Sequence, residues 1–384
     1  MVETVAAHVP SRLVWRNLTH NRARLAVGVT GVAFAVFLMV FQGSLLVGFI
    51  TAAQLVIRSA DVDVWLVPRG VPCFDFPARL PEGLAERARG IDGVADTRRI
   101  AAGFTTWRRP DGQSRPVLLI GADARGFGRG ALPMPVRPDG TGLAVDGVVV
   151  DASNAAFLQV RALPAFVEIA GRRAEVVRLA SEFTSFLGSP YVFATHDVAG
   201  RMLGLGAEET SYIGLRLDSG ADAEVLSARL ARRLPEVTVL TRDRFAWQST
   251  AFWLLQTGAG GAILTAALLG FIVGLVIVSQ TLYAGTLEHL REYAVLKAMG
   301  ASDRVVRRVV LLQALALGLA GSVAGLILVH PLAKLARVYL VPWVVTPGWL
   351  KAGAVVMGLA MCAAGALASV RAVTRVDPEI VFRA

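Results

Sequence analysis

The sequence predicts an α-helical membrane protein: four transmembrane helices per chain, with a large α+β extracytoplasmic (periplasmic) domain inserted between the first and second spans. Three observations predict it. Apolar residues, 54% of the chain, concentrate in four runs at 25–50, 252–282, 309–333 and 349–370. Each run reaches the roughly 20 residues that a helix needs to cross a bilayer. Basic residues cluster beside the runs, and the segment between the first two runs is almost neutral and patterned as strands and helices.

Taken in order, residues 1–24 contain "PSRLVWRNLTHNRARL", in which Leu13, Trp15 and Leu18 alternate with Arg residues. This is either an amphipathic helix lying along the inner membrane surface or a plain basic flank that sets topology. The first run, 25–50, starts too late and runs too long for a cleaved signal peptide and lacks a clean small-residue cleavage site, so a retained anchor is expected. Residues 51–250 are long enough for a core of their own. "ADVDVWLV" (60–67) alternates like a half-buried strand, and "PEGLAERARG" (81–90) reads as a helix. "RRPDGQ" and Gly171 mark two hairpins, and 210–241 reads strand, helix, strand. The unit 60–107 has that same order, so two βαβ units are expected to pair as one subdomain (59–110 plus 206–245), with a β-rich subdomain, 111–205, inserted between them. The remaining divisions are a second span at 252–282, a charged connection at 283–303, a third span at 305–333, a short outer loop at 334–348, a fourth span at 349–370 and a tail at 371–384.

Charge sets the sidedness. Residues 51–250 hold 24 Arg and 23 Asp plus Glu, which leaves 15 of the 39 basic and 6 of the 29 acidic residues for the flanks. Arg12, Arg16, Arg22 and Arg24 precede the first run; Arg291, Lys297, Arg304, Arg307 and Arg308 follow the second; Arg371, Arg375 and Arg383 follow the fourth. Basic flanks stay in the cytoplasm, so both termini and the 283–308 connection are expected inside, with 51–250 outside. Lys334, Arg337 and Lys351 are exceptions, few enough to snorkel at the outer interface. The net charge of +10 therefore reflects topology, and no nucleic-acid partner is expected.

The sequence lacks the means for several chemistries. A P-loop needs Lys after Gly, and none of the three lysines (Lys297, Lys334, Lys351) follows one. There is no G-x-S-x-G and no H-E-x-x-H, and the five His residues are scattered. "THD" at 195–197 offers two metal ligands or, as the simpler alternative, a capped turn. No catalytic residue, resident cofactor or metal is expected, nor a disulfide between Cys73 and Cys362. Ionisable residues are scarce within the runs, His330 beside Pro331 being the nearest case, which argues against ion-coupled transport. Gly270 and Gly274, and Gly321 and Gly325, form GxxxG pairs, with Gly258 and Gly261 nearby. These are packing faces within or between subunits, or merely the glycines that membrane helices commonly carry.

The segment "TLEHLREYAVLKAMGAS" interrupts the apolar pattern. As a helix it gathers Leu287, Leu290, Ala294, Leu296 and Met299 into an irregular apolar face, with Glu288, Arg291, Glu292 and Lys297 largely elsewhere. Gly300 is a plausible stop, and Ser302 or Asp303 can cap the next helix. Such a segment either passes movement from a cytoplasmic partner to the spans or serves only as a topogenic loop. Arg291, Glu292, Tyr293, Ala294, Val295, Leu296, Lys297, Ala298, Met299, Gly300 and Ala301 resemble the R-E-[IY]-[GA]-x-L-[KR]-A-[LM]-G-A motif of the FtsX-like permeases of ABC transport systems. "WRNLTHNRARL" and "RAVTRVDPEIVFRA" are similar to that family's opening and closing segments. "SADVDVWLVPRG" (59–70) and the size of the outer domain look most like the DevC branch of the MacB-type permeases, without a fused ATPase.

The resemblance implies a homodimer in the bacterial inner membrane and a separate cytoplasmic ABC ATPase that binds the ATP and Mg. It implies a coupling helix formed by Glu288, Arg291, Glu292, Tyr293, Leu296, Lys297, Met299, Gly300 and Ala301. It further implies mechanotransmission: ATPase-driven movement of the spans drives the periplasmic domain, with a periplasmic adaptor and an outer-membrane channel, to export a lipid, a glycolipid or another hydrophobic substrate. The alternatives are a signalling scaffold controlling a periplasmic partner such as a cell-wall hydrolase, or a permease that extracts lipids or lipoproteins from membrane lipid.

Overall fold

The structure, a computed structural model, describes residues 22–123, 132–137, 142–288, 303–339 and 343–374. The chain divides into two compact units, one formed by the residues up to Gly48 and from Gly261 on, the other by Phe49–Gly260. Among the described residues, four helices are long and apolar enough to cross a membrane, and a sheet-rich α+β unit lies between the first and the second.

Helix α1 (Arg22–Ser59) begins in the first unit and ends in the second. The second unit continues with β1 (Val64–Pro68), β2 (Leu80–Pro81), α2 (Gly83–Arg89), β3 (Val94–Arg108), β4 (Ser114–Ala122) and β5 (Gly147–Asp151). After these come β6 (Ala165–Ile169), β7 (Arg172–Ala180), β8 (Tyr191–Thr195), α3 (His196–Leu203), β9 (Glu209–Thr210), β10 (Tyr212–Leu217), α4 (Ala223–Arg233), β11 (Val237–Thr241) and α5 (Arg242–Ala251). Nine of the strands form one sheet in the order β11-β1-β10-β3-β4-β8-β5-β7-β6. Its first four strands are antiparallel throughout. With α2 and α4 they make the split βαβ arrangement of ferredoxin-like folds. The strand–helix–strand units at 60–107 and 210–241 thus interleave in a single sheet.

The inserted residues do not build a separate sheet. β3 is 15 residues long and pairs with β10 near its start and with β4 from Ile100 to its end. From β4 the sheet curls until β6 pairs back onto β3, Trp107 opposite Ile169 and Arg108 opposite Glu168. β3, β4, β8, β5, β7 and β6 therefore close on themselves, which removes the free edge that an open sheet would expose. Trp107, Leu119, Val150, Ile169 and Val192 fill the interior. Burying a side chain of this kind is worth about 1.5–3 kcal/mol. The two hairpins are made by their turns: Gly112 has φ +83°, and Ala170 and Gly171 are both left-handed at +52° and +73°. Two left-handed residues give the twist that a two-residue hairpin connection needs.

β1 is buried on both faces, not half-buried as its alternation suggested. Val64 and Leu66 face α2 and α4, where Leu84, Ala88, Leu226 and Leu230 pack. Trp65 and Val67 face the other way, toward Tyr212, Phe245 of α5 and Val56 and Ile57 of α1. The polar Asp61 and Asp63, which set the alternation, precede the strand: Asp61 binds Arg98 and Arg216, and Asp63 accepts from the Leu217 N–H.

The first unit holds α6 (Ala259–Glu288), α7 (Asp303–Tyr339) and α8 (Gly348–Thr374) beside the start of α1. Two boundaries differ from expectation. The second span begins at Ala259 rather than 252, because Phe252–Gln256 forms a π-helical turn belonging to the sheet unit, and Gly258 with φ +78° breaks the chain direction. The third helix continues through Pro331 to Tyr339, so the first six residues of the expected outer loop at 334–348 are helical. The expected amphipathic helix at 1–24 falls almost wholly, and the tail at 371–384 mostly, outside the described residues.

Candidate functional site

The second span is flanked by the two features most relevant to function. At its far end, Glu288 closes α6 and Asp303 opens α7. Arg291, Glu292, Tyr293, Leu296, Lys297, Met299, Gly300 and Ala301 fall between them, outside the described residues. Beyond Asp303, the exposed Arg304, Arg307 and Arg308 crowd the first turns of α7. Cations oppose the dipole at a helix N-terminus, by about 0.3–1 kcal/mol each where exposed. Helix stability therefore does not account for them, whereas sidedness or an acidic partner would.

The glycine pairs lie on packing faces within the unit. A Cβ at Gly274 would stand 2.3 Å from the Ala35 Cβ, and one at Gly270 3.1 Å from the Leu38 side chain. One at Gly321 would meet the Val32 Cβ at 2.4 Å, and one at Gly325 the Ala33 carbonyl at 2.6 Å. α6 and α7 thus each approach α1 through their GxxxG faces, the close backbone contact that small residues permit in lipid. Gly261 has open space around it, and Gly258 serves through its positive φ rather than through packing.

At the near end of α6, the π-helical turn is strapped into the sheet unit. Trp253 donates its indole N–H to Asp75 Oδ2 at 2.8 Å. Its ring stacks on Phe76 (5.8 Å between centroids) and meets Phe186 edge-on (5.2 Å), and Phe186 in turn meets Phe49. The segment bearing Asp75 is held from three sides. Gln248 Nε2 donates to the Val71 carbonyl, Ser249 Oγ accepts from the Phe74 N–H, and the Tyr212 hydroxyl donates to the Phe74 carbonyl. Asp75 is only 2% exposed. Burial pushes its carboxyl up to about 6, opposed by the Trp253 N–H. Burial, and then the Asp75 carboxylate, push the Cys73 thiol up to about 12. Burial likewise raises the Tyr191 and Tyr212 hydroxyls.

Sequence reasoning passed over this joint. Its signal was the lone acid in the apolar, aromatic stretch "VPCFDFPA". The "THD" segment is a capped helix start: Thr195 Oγ1 accepts from the Val198 N–H, and His196 Nε2 lies 3.1 Å from Thr210 Oγ1. Among the described residues, no group of three or more His, Cys, Asp or Glu is placed to hold a metal. Cys73 and Cys362 are both free and buried.

Residues 264–378 match the family described as FtsX-like permease, C-terminal. Along nearly its whole length the chain is similar to uncharacterized ABC transporter permeases. One from Mycobacterium tuberculosis is 27% identical over 370 residues, covering 96% of this chain and 97% of its own. One from Mycobacterium bovis is 28% identical over 371 residues, with the same coverage. Among solved structures, similarity extends to the periplasmic region of MacB from Actinobacillus actinomycetemcomitans (TM-score 0.36, 14% identity, 49% of this chain and 92% of that one). It extends also to the extracellular domain of the noncanonic ABC-type transporter YknZ from Gram-positive bacteria (TM-score 0.32, 16% identity, 47% and 98%).

Proposed function

We propose that this chain, whose residues 264–378 match the FtsX-like permease C-terminal family, is the membrane subunit of an ABC export system driven by a separate ATPase. The observation that carries the reading is the Arg291–Ala301 segment. It lies inside the matched stretch, in the connection between two helices long and apolar enough to cross a membrane, and its Arg291–Glu292 pair, Lys297 and Gly300 resemble the family's motif. The whole-length likeness to ABC transporter permeases supports the same reading.

In this mechanism the segment docks in the cytoplasmic ATPase, which holds the ATP and Mg. Movement there is passed to α6, which directly precedes the segment, and α6 runs back to Ala259. There the chain enters the sheet unit through Gly258 and the π-helical turn. Because Trp253 is bound to Asp75 and wedged among Phe76 and Phe186, the turn moves with the sheet unit instead of unwinding. The spans transmit force, and the sheet unit, outside the membrane, does the work on the substrate, a lipid, glycolipid or other hydrophobic molecule. A homodimer in the inner membrane, a periplasmic adaptor and an outer-membrane channel complete the machine.

The test is affinity purification of the tagged full chain from gently solubilised membranes, wild type beside Glu292→Arg/Lys297→Glu. Wild type is expected to bring down an ABC ATPase and an adaptor. The double variant is expected to lose the ATPase while keeping its adaptor and its melting temperature. An ATPase retained equally by both proteins would remove the coupling role from this segment. An ATPase without an adaptor would remove the export machine and leave the signalling or extraction roles.

A further inference from the structure

The C-terminal half of α7 and the start of α8 enclose a cavity of about 300 Å³. Leu326, Ile327 and Ala333 form its apolar wall, and His330, Thr346 and Lys351 supply its polar groups. Its frame is fixed. The Ser44 hydroxyl donates to Thr346 Oγ1 at 3.0 Å, and the Arg337 guanidinium donates twice to the Val344 carbonyl, at 2.8 and 3.2 Å, tying the connection to the end of α7. Ile327 is 66% exposed, so the apolar wall opens sideways, toward hydrocarbon when the helices stand in a bilayer.

The basic side chains around this cavity have no acidic counterpart nearby in the sequence. His330 and Lys351 line it, Lys334 and Arg337 follow closely in the sequence, and the chain contains no Asp or Glu between Asp303 and Asp377. They also run against the charge bias that sets membrane orientation. Lys351 stands in the first turn of α8, where a cation opposes the helix dipole. Neither topology nor helix stability calls for a lysine at this position. An anion in the cavity would meet its ammonium and the imidazole together.

We propose that this cavity binds an anionic phospholipid, with part of an acyl chain against Leu326, Ile327 and Ala333 and the phosphate at Lys351 and His330. A volume at the lower end of the roughly 300–1,000 Å³ range of ligand pockets admits a segment of one chain, and the open side leaves the rest of the lipid in the bilayer. Apolar contact gains little selectivity here, since lipid tails are as apolar as the wall. The charge-assisted contact to phosphate is what distinguishes one lipid from another. The site therefore selects headgroups and tolerates different chains. It requires only that these helices span a membrane, so it stands or falls independently of the export reading.

The experiment is native mass spectrometry of the purified full chain in mild detergent, loaded with phosphatidylglycerol or with phosphatidylcholine of the same chains. Phosphatidylglycerol is expected to be retained several-fold more. That preference should vanish in Lys351→Gln/His330→Gln, persist in Lys351→Arg, and persist in Arg307→Gln, which removes an exposed cation elsewhere on α7. Ala333→Trp, which fills the cavity and keeps every charge, is expected to lose the lipid as well. Equal retention of the two lipids, or a preference that survives Lys351→Gln/His330→Gln, would overturn the assignment. Inorganic phosphate at matched ionic strength should leave the lipid bound; displacement would make this a free-phosphate site and refute the lipid one.

Discussion

Asp75 shows what a single residue costs and what it holds. Its folded-state carboxyl titrates near 6, against an ordinary 3.8. Between about pH 4 and 6 the unfolded chain has given up this proton while the folded chain keeps it. The group therefore favours folding least above pH 6, and the deficit develops as pH rises through that window. A rise of this size corresponds to roughly 3 kcal/mol. Asp75→Asn keeps an oxygen for the Trp253 N–H and removes the charge. It should raise the melting temperature of the detergent-solubilised chain at pH 7.5 and change it little at pH 4. Trp253→Phe should do the reverse, lowering stability most at pH 7.5, because a buried carboxylate deprived of a donor costs about 1–3 kcal/mol. Melts followed across pH 4–8 decide both. The sequence shows an acid among aromatics, but Trp253 is 178 residues away, and no local pattern encodes that meeting.

At the scale of elements, the glycines divide into those that touch α1 and those that do not. Gly321→Leu and Gly274→Leu would drive side chains into Val32 and Ala35, contacts that even a single Cβ brings to 2.4 and 2.3 Å. Overpacking of this kind costs about 1–3 kcal/mol or more, so both variants should melt lower and elute as broader peaks. Gly261→Ala meets nothing within 4 Å and should be neutral or slightly stabilising, as a helical Gly→Ala exchange generally is. Equal damage from all three would sink the close-approach reading, since a Cβ at Gly261 meets no neighbour. The GxxxG spacing was legible; that both faces meet α1 was not, since spacing names a face and never its partner. The start of the second span was misread for a related reason. Phe252, Trp253, Leu254 and Leu255 are as apolar as a span, and hydropathy cannot separate residues bound for lipid from aromatics bound for a protein core.

For the whole molecule, the alternation of spans and a folded unit was readable because it rests on length and composition, which are summed over many residues. Closure of the sheet was not, because Trp107 and Ile169 meet across 62 residues through a strand that also serves the four-stranded part. Sidedness is a property of the molecule as a whole, and its test follows from the cysteines. Cys73 and Cys362 are buried, and the Cys73 thiol is pushed up to about 12, so the wild-type chain should be nearly silent to maleimides, which react with thiolates. Asp111→Cys places a thiol on the exposed β3–β4 turn, and Ser302→Cys places one in the charged connection. α6, long and apolar enough to cross a membrane, joins the sheet unit to that connection, so the two positions are expected on opposite sides. In right-side-out membrane vesicles an impermeant maleimide should label Asp111→Cys at once and Ser302→Cys only after permeabilisation. Labelling of both without permeabilisation would mean that α6 does not cross the bilayer. Labelling of Ser302→Cys alone would put the Arg291–Ala301 segment outside the cell, where no ATPase works, and would end the export reading.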